Sequence, residues 1–261
     1  MAAIISVVNQ KGGVGKTTTA VNLGAYLARA GKFVLLVDLD PQCNATSGIG
    51  VDHKSLERGV YEALTGQCDF REIIVPTSIE GYRLAPATAN LAGAGVELVT
   101  AERREYRLAE ALEAARHDYD YIIIDSPPSL GLLTVNGLVA ADQVLIPVQA
   151  EYYALEGLGQ LMETIQLVKD NVKPDLSILG AVITMFDGRN RLSNDVLNEL
   201  YKHFSNKIFR TPVPRNVRLA EAPSFGKSIL HYDPGSKGAK AYEKLAEEVA
   251  AAVEATEPQM V

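Results

Sequence analysis

Residues Lys11-Gly12-Gly13-Val14-Gly15-Lys16-Thr17-Thr18 put glycines, a lysine and hydroxyls into eight consecutive positions, the combination a phosphate site needs. Glycine lets backbone N–H groups approach phosphate oxygens with no Cβ in the way. The stretch directly follows the apolar run Ile4 to Val8 and leads into helix-period residues from Thr17. A helix starting there adds the positive end of its dipole to the loop. In that setting Lys16 is placed to reach the β- and γ-phosphates of a nucleotide, and the Thr17 hydroxyl to ligate Mg²⁺. Gly12, Gly13, Val14, Gly15 and Thr18 make up the rest of the cradle. Two carboxylate segments belong with it. Val37-Asp38-Leu39-Asp40-Pro41-Gln42 closes a second apolar run, and Asp125 ends the run Tyr121-Ile122-Ile123-Ile124. Ligands of open α/β sheets bind at the carboxyl ends of strands, so Asp125 is expected to hold Mg²⁺ through water. Pro127-Pro128 stiffens the exit from that strand.

Positioning such residues takes a sheet. The apolar runs are Ile4 to Val8, Phe33 to Val37, Tyr82 to Ala85, Tyr121 to Ile124, Gln143 to Val148, Ser177 to Thr184 and Lys207 to Arg210. Several are β-branched on consecutive residues, the mark of strands buried on both faces. Between them lie helix-period segments. Ala20, Leu23, Gly24 and Leu27 share one face of the first, which Gly31 can end. Glu102 to Arg116 and Leu155 to Lys169 read as two more, and Tyr242, Leu245, Ala246, Val249 and Val253 form the stripe of a last one. The alternation predicts an α/β chain with a single doubly wound, mostly parallel sheet and helices on both faces, and the glycine-rich segment Lys11 to Thr18 between strand and helix marks it as a P-loop NTPase. One domain over residues 1–254 and a short acidic tail over 255–261 are expected, because no long Ser/Gly/Pro linker divides the chain.

Composition narrows the function classes. Among 261 residues no apolar run reaches the roughly 20 a membrane helix needs. The N-terminus has no basic segment of the signal-peptide kind, so a cytoplasmic protein is expected. Cys43 and Cys68 lie far apart with no CxxC, which reads as two plain thiols. The net charge of −7 argues against a surface that coats nucleic acid everywhere. The charge is segregated, however: Phe186 to Lys244 holds 11 of the 25 lysines and arginines but only 6 of the 32 carboxylates.

The ordinary phosphate loop, GxxxxGK[ST], places glycine where this chain has Gln10, followed by Lys11. KGGVGKTT is instead the deviant Walker A form and resembles the ParA/MinD family of ATPases, a likeness running from Ile4 to about Val253. The resemblance implies ATP and Mg²⁺ as ligands and an ATP-dependent homodimer in which Lys11 reaches across to the partner's phosphate. It implies that Asp40, in switch I, positions or polarises the attacking water near the metal. Met185, Pro212 and Pro214 match loops on the adenine side, and a plain rigid loop is the alternative there. Asn44-Ala45-Thr46-Ser47-Gly48, Pro214 to Ser224, His231-Tyr232-Asp233-Pro234 and Ser236-Lys237-Gly238-Ala239 resemble the Soj-type partition ATPases in particular. Members of that group bind double-stranded DNA without sequence preference once dimerised. A ParB/Spo0J-like protein stimulates their hydrolysis. The implied DNA contacts are Arg189, Arg215, Arg218, Lys237 and Lys240, with Arg191 and Lys227 in the same basic segment. Local alternatives exist: Arg218 with Glu221 at i,i+3, and Arg189 with Asp187. Chromosome or plasmid partitioning on the nucleoid is the function expected from this. A cargo-positioning ATPase shares the same chemistry. A MinD-like membrane-positioning ATPase needs a basic amphipathic C-terminal helix, whereas Glu247-Glu248 to Glu254 is acidic, so no membrane partner is expected. An electron-transfer ATPase needs paired cysteines.

Overall fold

The computed structural model describes residues 1–151, 154–204 and 207–256. Among the described residues seven strands form one sheet: β1 (Ala3–Val7), β2 (Val34–Asp38), β3 (Val75–Pro76), β4 (Tyr82–Ala85), β5 (Tyr121–Asp125), β6 (Gln143–Gln149) and β7 (Ser177–Thr184). Their order is β3-β4-β2-β5-β1-β6-β7, and every pairing is parallel except that of β3 with β4. The central strands β2 and β5 are buried at every position, as their unbroken apolar runs require.

Among the described residues eleven α-helices connect and cover the strands. They are α1 (Lys16–Arg29), α2 (Asn44–Gly48), α3 (Val60–Leu64), α4 (Leu91–Glu97), α5 (Arg107–Glu113) and α6 (Leu132–Ala140), then α7 (Ala154–Asn171), α8 (Arg191–His203), α9 (Val217–Glu221), α10 (Ile229–Tyr232) and α11 (Lys237–Thr256). Alternate side chains of the strands enter two cores. Leu35, Val37, Ile122 and Ile124 pack with residues of α3 to α8. Val34, Leu36, Ile123 and Leu145 pack with α1 and with the stripe Tyr242, Leu245, Val249 and Val253 of α11. Gly24 is needed in α1 because a Cβ there would run into the buried Tyr82 ring, whose hydroxyl donates to the Val21 carbonyl (3.1 Å). Thr19 and Tyr242 share a buried hydrogen bond (3.1 Å) that joins α1 to α11. No described helix is long and apolar enough to cross a membrane.

Three expectations need correction. Glu102 to Arg116 is not one helix: Arg103 is left-handed (φ 52°), and α5 begins only at Arg107. Asn136 of α6 sets that start. Its side-chain oxygen accepts from the Leu108 N–H (3.0 Å), and its amide donates to the Arg104 carbonyl (2.8 Å). Lys207 to Arg210 forms no strand but a single parallel bridge, Ala181 to Ile208. The Phe209 ring fills the space where Gly180 has no Cβ, and Pro212 and Pro214 have no N–H to extend a ladder. Finally, Ala255 and Thr256 still belong to α11, and the remainder of the expected tail, 257–261, lies outside the described residues.

Candidate functional site

At the carboxyl ends of β1, β2 and β5 a cavity of about 410 Å³ is lined by Gly13, Lys16, Thr17, Asp40, Met185 and Pro223, among others. The loop beneath it turns through two left-handed glycines, Gly13 (φ 74°) and Gly15 (φ 89°), conformations that L residues adopt only under strain. Gly15 ends the loop and α1 starts at once. That start has no side-chain cap and no acidic residue in its first turn. Its orphan N–H groups and positive dipole end therefore meet the cavity without an internal anion.

The loop is tied to the sheet at two points. Asn9 accepts from the Lys11 N–H (2.9 Å) and donates to the Pro147 carbonyl (2.7 Å). Thr184 at the end of β7 donates to the Val14 carbonyl (2.7 Å). Lys16 is only 7% exposed, and its ammonium donates to the Lys11 carbonyl (3.1 Å). Burial pulls its pKa below the ordinary lysine value, and the charges of Asp125 and Asp40 offset part of that. An anion in the loop would give this buried cation the partner it lacks.

Asp38 and Asp125 are Cα partners in the β2–β5 register, and both are fully buried. Asp38 accepts from Thr46 twice and from the Asp40 N–H. Burial still lifts its pKa to about 6, against those hydrogen bonds. Neither carboxylate oxygen of Asp125 meets hydrogen-bond geometry with a partner, although the Thr17 hydroxyl is near enough to act on it. Burial first, and the Asp38 charge second, push Asp125 well above the usual carboxylate range, with the Thr17 hydroxyl and Lys16 pulling partly back. A buried carboxylate with two unpartnered oxygens beside a second carboxylate fits a divalent cation, which removes both penalties. Among the described residues no three His, Cys, Asp or Glu gather as a metal site of their own. Mg²⁺ suits such an arrangement, since it takes one or two protein oxygens and completes its shell with phosphate and water. Asp40 is nearly buried and lines the cavity, its Oδ1 accepting from the Gln42 N–H (2.9 Å).

Lys11 points away from its own loop toward Glu151 (3.5 Å). The same carboxylate accepts from Gln149 (2.7 Å) and lies 3.7 Å from Arg215. This three-way contact has no local signature, because the partners come from three separate segments. Met185 lines the cavity from a left-handed backbone position (φ 52°), whereas Pro212 and Pro214 do not line it. Val213 and Arg215 instead bond to Ile183 and Phe186 beside Met185. Gln42, Asn44, Pro128, Ala222 and Lys227 reach the cavity without having been singled out for it. Only the neighbourhood of Gln42 and Pro128 in the two aspartate segments hinted at this. Lys227, grouped above with the basic surface, belongs to the rim of this cavity.

Of the basic residues, Arg218 pairs with Glu221 (2.9 Å) and Asp233 (3.4 Å), and Arg189 pairs with Asp187 (2.9 Å). Arg189 holds the Asp187 carboxyl down to about 2. Exposed Lys237 and Lys240 start α11, which packs against α9, the helix of Arg218. Glu248, on the outer side of α11, accepts from the Arg210 N–H and from the Thr211 hydroxyl. Cys43 and Cys68 are free thiols.

With this geometry in view, the chain can be set beside known proteins. A family model described as an AAA domain matches residues 2–178. The sporulation initiation inhibitor protein Soj of Bacillus subtilis is 57% identical over 96% of this chain and 99% of its own. The chromosome partitioning protein ParA of Myxococcus xanthus is 53% identical over 94% of this chain and 87% of its own. Among solved structures, one named as the cobyrinic acid a,c-diamide synthase of Mycobacterium smegmatis, with a bound ATP analogue and magnesium, superposes with a TM-score of 0.87. It is 39% identical and covers 98% of both chains.

Proposed function

Because the chain belongs to the ParA/Soj family of chromosome-partitioning ATPases, we propose that it is an ATP-driven dimerising switch that holds DNA only in its ATP state. The observation that carries this reading is the pairing of an uncapped α1 N-terminus with the orphaned carboxylate of Asp125. One feature wants an anion and the other a cation, side by side, as ATP with Mg²⁺ supplies them.

In this reading the α1 N-terminus and loop N–H groups take the phosphates, and Lys16 leaves the Lys11 carbonyl for the β- and γ-phosphate oxygens. Thr17 and Asp125 would hold Mg²⁺, with Asp40 near its shell, and the bound ion would supply charge neutralisation on the phosphates. Met185 borders the base. Lys11 exchanges Glu151 for the γ-phosphate bound by a second copy, which makes the dimer depend on ATP. Asp40 accepts a hydrogen bond from water and aims it at the γ-phosphorus. The bond to the β-phosphate oxygen breaks as the new P–O bond forms, the bridging oxygen leaves on ADP, and the water's proton ends on the released phosphate. Losing the γ-phosphate removes the charge that held Lys11, and the copies part.

Dimerisation doubles the basic surface of α9 and the start of α11. Arg218, Arg189, Arg215, Lys237 and Lys240 then meet phosphates of double-stranded DNA through counterion release, without reading sequence. The function is partitioning of chromosome or plasmid DNA on the nucleoid in the cytoplasm, with a ParB-type protein stimulating turnover. A membrane role is disfavoured by the acidic outer side of α11, where Glu248 serves the 210–211 backbone and side chain. The direct test is an electrophoretic shift on unrelated DNA duplexes with ATP, ADP or no nucleotide. Shifts confined to ATP and equal across sequences support the reading. Shifts independent of nucleotide contradict it.

Two variants extend the test. Arg218→Glu is expected to dimerise with ATP as the native chain does but to lose DNA binding. The native chain's log affinity should fall with log salt by about 0.9 per phosphate contact, and conservative loss of one contact should flatten that slope by about one. Glu151→Gln is expected to free Lys11 and lower the ATP concentration needed for dimerisation. A half-exposed ion pair contributes ~0.2–1 kcal/mol, so the midpoint should fall by up to about fivefold in a sedimentation titration.

A further inference from the structure

Asp40 can orient water only if the loop that carries it is held still, and the loop's anchor is a residue to which nothing above gives a role. Thr46 is wholly buried in α2. Its N–H and its hydroxyl both donate to Asp38 Oδ2 (2.8 and 2.7 Å). The same hydroxyl accepts from the Ala87 N–H (3.0 Å), just beyond the end of β4. Asp38 Oδ1 meanwhile accepts from the Asp40 N–H (3.2 Å). One carboxylate thus grips both ends of the segment 40–46, one oxygen for each end.

Inside that clamp the chain makes a tight turn. The Asp40 carbonyl accepts from Cys43 N–H (2.9 Å), and Cys43 takes a left-handed conformation (φ 55°). The Leu39 N–H donates to the Asp125 carbonyl (2.9 Å), so the near side of the turn is pinned to β5. The far side, α2, packs against α1 and the turn 222–225, and Thr46 supplies its hydrogen bonds to β2 and to the chain just beyond β4. The Thr46 hydroxyl joins the Asp38 carboxylate to the β4 end.

We propose that Thr46 is a positioning residue for hydrolysis, its hydroxyl clamped between Asp38 and the Ala87 N–H so that Asp40 sits at a fixed place over the phosphate loop. This rests on the ATPase reading above. The phosphate loop itself makes no bond to Thr46, so nucleotide affinity and turnover should separate when the hydroxyl is lost.

The test is steady-state ATP hydrolysis by the native chain, Thr46→Val and Thr46→Ser, with ATP-dependent dimerisation measured on each. Valine keeps the shape and removes the hydroxyl; serine keeps the hydroxyl. A displacement of about 1 Å at a positioning group costs on the order of 100-fold in rate. Thr46→Val is expected to lose roughly 10- to 100-fold in kcat with KM for ATP within about twofold, and still to dimerise with ATP. Thr46→Ser is expected to keep kcat within about threefold of native, as the hydroxyl is retained. If the valine chain does not fold, Thr46→Ala removes the same hydroxyl and carries the same expected split. Native kcat in the hydroxyl-free variant, equal loss in the serine variant, or a raised KM at unchanged kcat would each overturn the proposal while leaving the ATPase reading intact. Absence of hydrolysis in the native chain would overturn both.

Discussion

Lys16→Ala is expected to abolish ATP-dependent dimerisation. The ammonium is almost wholly buried and donates to a single carbonyl in the loop. In the proposed bound state it faces two phosphates of the same nucleotide. Truncating one partner of a buried, hydrogen-bonded charge pair costs about 2–5 kcal/mol. At 1.4 kcal/mol per tenfold, ATP affinity should fall roughly 30- to several-thousand-fold. Fluorescent-nucleotide titration would read that loss, and sedimentation velocity would show monomer at ATP concentrations that saturate the native chain. A melting curve should accompany the titration, because the variant removes the cation acting on the buried Asp125 as well as the bond to the Lys11 carbonyl. Native ATP affinity in this variant would remove Lys16 from the site.

Asp40→Ala should give the opposite phenotype, an ATP dimer that persists. In the proposed mechanism Asp40 orients water, a role for which removal of the group lowers turnover by about 10²- to 10⁴-fold. Binding should survive, since in the proposed bound state the loop and Lys16 carry the phosphates. The variant is therefore expected to stay dimeric on ATP and to hold DNA through many native turnover times. One structural effect must be separated from the chemical one. Asp40 Oδ1 also accepts from the Gln42 N–H, a bond worth about 1 kcal/mol to the turn. Asp40→Asn keeps an acceptor for that N–H while losing the charge. If both variants hydrolyse slowly and both dimerise, the defect lies in the chemistry. Turnover faster than native in either would contradict the role given to Asp40.

How much of this was legible beforehand differs by element for physical reasons. The phosphate loop carries its own context: an apolar strand, glycines that permit left-handed turns, and a helix starting at Lys16. The central strands announced themselves because burial on both faces demands unbroken apolar runs, as in Tyr121 to Ile124. Strand β3 did not, being two residues at a sheet edge and one of them proline. The start of α5 depends on Asn136, some thirty residues away, so helix-period counting over Glu102 to Arg116 ran too long. Within the site, Lys16, Thr17, Asp40 and Met185 meet in one cavity as their motifs suggested. What could not be read is tertiary. Glu151 beside Lys11, and Thr46 between Asp38 and Ala87, join segments that have no spacing in common. Pro212 and Pro214 do not line the cavity, although Pro214 is bridged to Phe186, the residue after Met185.

The central claim is that each copy sends Lys11 into a neighbour's nucleotide site. Sedimentation velocity of the turnover-blocked Asp40→Ala chain, with and without a second change Lys11→Ala, tests it most directly at saturating ATP and Mg²⁺. The account predicts a dimer for the single variant, a monomer when Lys11 is also replaced, and monomers for both in ADP. A single variant that stays monomeric on ATP, or a double variant that dimerises equally well, would contradict it.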